Sequence, residues 1–318
     1  MIESFLPDPD GGLVRHAGFR DGAVWIDLSD PDPGELAEVS ARGGVPLPER
    51  ADMEEIELSS RLYRKRGVYF MTLVLPALTE SRDHHVAPVT FALGEGRLVS
   101  VRYHAPRPFA NYPDRAGQSP YDTTTPQEVL FGLLDEIIDR LADILELTDA
   151  RVEEVSRGLF AGAAESPVHD RRAALAALGQ AGRLISDVRN SLVTIERALA
   201  FLNRRASAGG EGQPPHALKV LASDVTSLTE HAGFLTQKLS FLLDAIFGLT
   251  TIEQNAASKT FSLVAVLFLP PTLIGAVFGM NFQWMPWLDT RWGFAAALAA
   301  MGLSSLLSYV FFRWKNLL

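Results

Sequence analysis

The sequence predicts an α+β cytoplasmic domain with long helices, followed by two transmembrane α-helices near the C-terminus. Three observations carry that class. Residues 261–288 contain no charged side chain and neither do residues 292–312, and each stretch reaches the roughly 20 residues a helix needs to cross a hydrocarbon core of about 30 Å. The N-terminal third alternates short β-branched and aromatic runs with turn residues. Between these regions, apolar residues recur three and four apart over long distances, the period of amphipathic helices.

Taken in order, residues 1–120 form the α/β module. Ala23 to Leu28, Val68 to Leu75 and, after the Gly94-Glu95-Gly96 turn, Arg97 to Arg102 have strand composition. Pro33 to Ser40 and Glu54 to Arg61 suit short helices. The basic cluster Arg61-Leu62-Tyr63-Arg64-Lys65-Arg66 is a solvated turn. Residues 121–256 form a long-helix bundle and stalk. Pro126 opens the first of these helices after a threonine run that can cap it, and Val129, Leu133, Ile137, Leu141, Ile144, Leu145 and Val152 hold its apolar face. Gly158-Leu159-Phe160-Ala161-Gly162 is expected to be a loop. A second helix covers 168–205, ended by Ala208-Gly209-Gly210, and Pro214-Pro215 opens the third. From His216 no proline occurs until Pro270, and Leu218, Leu221, Val225, Leu228, Leu235, Leu239, Leu242 and Ile246 keep an apolar face that runs into the first span. Residues 257–318 are the two-helix transmembrane domain, with an outer loop at 280–291.

A formal net charge of -9 argues against a nucleic-acid partner, and the absence of cysteine excludes disulfides, thiolate metal sites and cysteine nucleophiles. The N-terminus, Met1-Ile2-Glu3-Ser4-Phe5-Leu6, lacks the basic start and apolar core of a secretory signal. Lys259 precedes the first span and Arg313 and Lys315 follow the second, whereas the intervening loop carries Asp289 and Arg291. The excess of basic residues outside that loop puts both termini in the cytoplasm. No constellation supports an enzyme: His84, His85, His104 and His231 lack ligand spacing, and no glycine-rich phosphate loop is present.

Two membrane helices cannot enclose an aqueous path, so an ion conductor of this design must be a symmetric ring with one helix per subunit at the axis. The first span suits that place. Asn255, Ser258, Ser262, Ala265, Leu269, Thr272 and Ala276 fall on one stripe of small and polar residues, with Phe261, Val264, Phe268, Leu273 and Ile274 beside it. A polar stripe in a membrane needs water or a partner, and helix packing through small residues is the alternative use. Pro270-Pro271 removes two backbone donors mid-span and loosens the helix there.

After this span the chain reads Phe278-Gly279-Met280-Asn281-Phe282-Gln283-Trp284-Met285-Pro286. Gly-Met-Asn-Phe followed by Met-Pro, placed between two C-terminal spans, resembles the signature of the CorA family of bacterial magnesium transporters. The flanks Ile252-Glu253-Gln254-Asn255, Phe268-Leu269-Pro270-Pro271-Thr272-Leu273 and Arg313-Trp314-Lys315-Asn316 are similar too. The resemblance implies a funnel-shaped homopentamer in the bacterial inner membrane whose first spans line the pore. It implies inward movement of Mg2+, often also Co2+ or Ni2+, without ATP and without a permanently bound cofactor, Mg2+ being both the transported and the regulatory ion.

Mg2+ holds its water shell tightly, so its selection needs no carboxylate cage. The stretch from Asn255 to Asn281 contains no acid. A ring of Asn281 carbonyls can accept hydrogen bonds from a hydrated ion. Apolar rings at Phe261 and Leu269 oppose passage by dewetting when the helices sit close. By register with the family, Ser258 stands where an apolar gate residue is common. Relatives commonly carry acids where this chain has Gln283 and Trp287, which weakens cation attraction at the mouth. Asp224 and Glu230 on the stalk helix are candidates for the family's cytoplasmic metal sensor. Two other functions share this architecture: zinc transport by a related branch, against which Met280 speaks, and a membrane-anchored sensor that transports nothing, which the polar stripe disfavours.

Overall fold

The computed structural model describes residues 1–9, 11–55, 57, 61–77, 85–161, 168–208, 215–280 and 290–315, with backbone alone at 161, 168–170 and 205–208. The chain divides into two compact units, Met1–Leu243 and Asp244–Leu318.

In the first unit, strands β1 (Ile2–Pro7), β2 (Leu13–Ala17) and β3 (Trp25–Ser29) lead into helices α1 (Pro33–Gly43) and α2 (Arg50–Glu54). Strands β4 (Leu62–Lys65), β5 (Val68–Ala77), β6 (His85–Leu93) and β7 (Leu98–Arg102) follow. The seven-stranded sheet has the order β2-β1-β3-β7-β6-β5-β4. β3 and β7 pair in parallel and the other neighbours are antiparallel. Asp32 caps α1 by accepting from the Glu35 backbone while the Glu35 carboxylate accepts from the Asp32 backbone, a reciprocal cap that starts the helix after Pro31-Asp32.

The expected strands are present as β3, β5 and β7. The basic cluster forms β4 and then a tight turn in which Arg66 and Gly67 both take positive φ, 52° and 84°. That is the backbone twist a two-residue hairpin needs, and it joins β4 directly to β5. The helix expected over 54–61 is corrected at its start: the helix there, α2, spans Arg50–Glu54 and residues 55 and 57 are not helical, while 56 and 58–60 lie outside the described residues.

Beyond the sheet, α3 (Arg107–Arg115) leads to three long helices: α4 (Pro126–Ala161), α5 (Val168–Ala208) and α6 (His216–Phe278). The expected loop at 158–162 is corrected for 158–161, which continue α4 as helix. An exposed glycine at 158 is tolerated because the rest of the turn carries good helix formers.

Both faces of the sheet are covered. One face, with Phe5, Trp25, Leu73 and Phe91, shares a core with Val129, Leu133, Ile137 and Leu141 of α4, with Leu184 to Leu202 of α5, and with Leu218, Leu221, Val225 and Leu235 of α6. The other face, with Ile26, Leu28, Phe70 and Val99, packs on Val39 of α1 and Met53 of α2. Phe5 stacks on Trp25 at 4.2 Å between ring centroids. Burying each such side chain stabilises the fold by roughly 1.5–3 kcal/mol. Lys238 of α6 donates to Asp149 and Glu153 of α4, each at 2.8 Å, clamping the two helices beyond the sheet.

The second unit holds the C-terminal part of α6 and α7 (Gly293–Trp314). Both helices contain stretches long and apolar enough to cross a membrane, and 0 % of that stretch in α6 and 6 % in α7 is buried. A core helix of a soluble protein would have its apolar surface covered; these demand lipid or other chains.

Candidate functional site

The site begins with how the two apolar helices meet. On α6, Leu263, Val266, Leu267, Pro270, Ile274 and Phe278 are partly covered, and on α7 Ala297 is buried and Ala300, Met301, Ser304, Ser305 and Ser308 are partly covered. Small residues on α7 let the backbones approach closely. At Gly275 an added Cβ would lie 3.1 Å from Met301 Cε, so the glycine gives Met301 its space.

The polar stripe lies elsewhere. Asn255, Ser258, Ser262, Ala265, Leu269, Thr272 and Ala276 are all exposed, as is Phe261. At 3.6 residues per turn the stripe is centred roughly 140° around α6 from the side that meets α7. The second span therefore leaves the whole stripe uncovered. The Thr272 hydroxyl donates to the Phe268 carbonyl at 2.6 Å. With its proton committed to its own helix, the oxygen turns only acceptor capacity outward, which suits the protons of an ion's water shell.

Gly279 and Met280 close the helix: the Gly279 amide donates to the Gly275 carbonyl at 2.9 Å and the Met280 amide to the Val277 carbonyl at 3.3 Å. A Cβ at Gly279 would lie 3.2 Å from the Gly275 carbonyl oxygen, closer than side chains ordinarily sit. Asn281, Gln283, Trp287 and Asp289 lie outside the described residues.

Asp224 and Glu230 are exposed on α6 in the first unit. Asp224 faces two acids of α4, Asp135 and Asp139, which the sequence reading missed. Burial pushes the Asp135 carboxyl up to about 6, with Asp139, Asp224 and Glu136 adding to the rise. Asp139 is also raised, by burial first, with Arg115 opposing and Asp143 and Asp224 assisting. The signal for them was present, since acids at 135 and 139 stand one turn apart beside an apolar face. Among the described residues, no three His, Asp or Glu side chains of one chain are grouped so as to hold a metal ion. His104 has a structural place: its Nε2 lies 2.9 Å from the Leu75 carbonyl oxygen, inside the first unit.

With this geometry, comparison with known proteins decides the family. The model of the family described as CorA-like Mg2+ transporter protein matches residues 20–314. The chain belongs to that family. The match takes in the α/β module from residue 20 onward, where the signature of the outer loop gives no help, as well as both spans. Magnesium transport protein CorA of Salmonella typhimurium (strain LT2) is 35% identical over 296 residues, covering 92% of each chain. Among solved structures, the complete CorA magnesium transporter from Methanocaldococcus jannaschii is similar with a TM-score of 0.75 at 18% identity, over 98% of this chain and 97% of that one. The full-length CmaX protein is similar with a TM-score of 0.68 at 16% identity, over 99% and 97%. At those identities the two structures establish the shared fold.

Proposed function

We propose that the chain is one subunit of a homopentameric channel for divalent cations, carrying Mg2+ inward across the bacterial inner membrane and admitting Co2+ or Ni2+. The observation that carries this reading is the polar stripe left uncovered by α7. Acceptor-bearing and small side chains along a membrane helix need water, and a ring of such helices supplies a water-filled axis. Family membership, and the printed function of the 35% identical relative, point to Mg2+.

In this mechanism the ion travels with its water shell. The Asn281 ring accepts from that shell at the outer mouth, and Thr272 and Ser262 continue the acceptor path inward. Phe261 and Leu269 form the apolar rings that close the path by dewetting. Asp224 is the cytoplasmic sensor, meeting acids of a neighbouring subunit around an ion and holding the closed ring together. Regulation requires the ion to bind the closed ring better than the open one. Five equivalent sites at about 1 kcal/mol each come close to the roughly 5.5 kcal/mol that moves a population from 1:99 to 99:1.

Proteoliposome flux measured beside size-exclusion tests both roles. Asn281→Ala is expected to assemble as wild type and lose Mg2+ uptake, because the change removes an amide without touching the helix contacts. Asp224→Ala is expected to keep uptake at millimolar internal Mg2+, where wild type closes. Wild-type behaviour from either assembled variant removes that residue from the mechanism.

A further inference from the structure

We infer that Ser305 is a positioning residue for the pore-lining helix: its hydroxyl stands in for the backbone N–H that Pro271 lacks and ties the proline step of α6 to α7. The functional half of this inference rests on the channel reading above.

In an α-helix the N–H of residue i bonds the carbonyl of residue i−4, so Pro270 and Pro271 deprive the carbonyls of Val266 and Leu267 of their intrahelical donors. In hydrocarbon an unsatisfied carbonyl is costly, and a neighbouring helix or a Ser/Thr side chain must supply the donor. α6 runs through both prolines without a break. The Ser305 hydroxyl of α7 donates to the Leu267 carbonyl at 3.2 Å, across 38 residues of sequence. A hydroxyl in an apolar helix ordinarily bonds back to its own preceding turn. Ser304 does so, donating to the Met301 carbonyl at 2.7 Å, and Thr272 does so on α6. Ser305 instead spends its proton on the carbonyl that Pro271 leaves open. Leu269 and Thr272, both on the uncovered stripe, flank this step, so the contact fixes from behind the part of the helix that presents them to the axis.

A cycle of variants in the full-length oligomer tests this. Pro271→Ala returns the missing N–H and makes Ser305 dispensable, whereas a role in general packing would be felt equally in both backgrounds. In the wild-type background Ser305→Ala is expected to lower the melting temperature of the detergent-solubilised oligomer and to reduce Mg2+ flux about threefold, the size usual for one interhelical hydrogen bond in a membrane. Ser305→Thr is expected to retain both. In the Pro271→Ala background, Ser305→Ala is expected to change neither. Equal effects of Ser305→Ala in the two backgrounds, or no effect in the wild-type background, overturn the assignment. A wild-type oligomer with no Mg2+ flux would refute the channel reading alone, since the melting temperatures still decide the hydrogen bond.

Discussion

Asp27 on β3 and Arg102 on β7 form a buried pair across the parallel ladder, with side chains 2 % and 10 % exposed. Arg102 donates to Asp27 Oδ2 through Nε and Nη2, at 3.0 and 2.8 Å, to Asp27 Oδ1 at 3.3 Å, and to the His104 carbonyl at 2.8 Å. Ser100 donates to Asp27 at 2.6 Å and receives the Trp25 indole N–H at 2.9 Å. Removing one partner strands a charge in low dielectric, so Arg102→Met is expected to cost about 3–5 kcal/mol in denaturant unfolding. Asp27→Asn combined with Arg102→Met is expected to cost less than the sum, and simple additivity would argue against a coupled pair. Strand composition around these residues was legible, but the pairing was not: nothing in either segment says that β3 and β7, some seventy residues apart, are neighbours. At the candidate pore the residue types were legible because the helical period alone puts Asn255 to Ala276 on one stripe. That α7 avoids this stripe needed the packing.

Among the elements, the long helices were easiest to read, since Pro126, Pro215 and an unbroken apolar period mark their starts and faces. Strands β1, β2, β4 and β6 were missed. Glu3 and Arg15 interrupt β1 and β2, the basic pair Arg64-Lys65 makes β4 resemble a turn, and Pro88 lies within β6. Contacts between elements also set the pH response. His104 is lowered from its ordinary 6.5 to about 4, by burial first, with the bond to Leu75 opposing and His85 and Arg102 assisting. The unfolded chain takes this proton more readily, so stability is lost as pH falls from 6.5 to about 4. Asp135, raised from 3.8 to about 6, acts oppositely: the folded chain holds its proton more tightly, and stability is gained as pH falls from about 6 to 3.8. The two responses offset one another over most of that range. Asp135→Asn is therefore expected to steepen the acid-side fall of the melting temperature, and a slope equal to wild type would contradict the assigned burial of Asp135.

At the scale of the whole molecule, two apolar helices with almost no fully buried residue fit a membrane, and the placing of Lys259, Arg313 and Lys315 is the ground for expecting both termini in the cytoplasm. The chain has no cysteine, so a cysteine introduced at Asp289 is the sole thiol. It is expected to react with an impermeant maleimide added to intact cells, and protection there would invert the topology. The family was legible from Gly279-Met280-Asn281 because that motif sits between two spans. The α/β module gave little, since its sheet order depends on pairings between distant segments. Ion flux tests the channel most directly. Purified wild-type oligomer in proteoliposomes, loaded with a Mg2+-sensitive dye and given Mg2+, Zn2+ or Co2+ outside without ATP, is expected to admit Mg2+ down its gradient at a rate that Asn281→Ala abolishes. An assembled wild-type oligomer that admits no Mg2+, or admits Zn2+ alone, would contradict it.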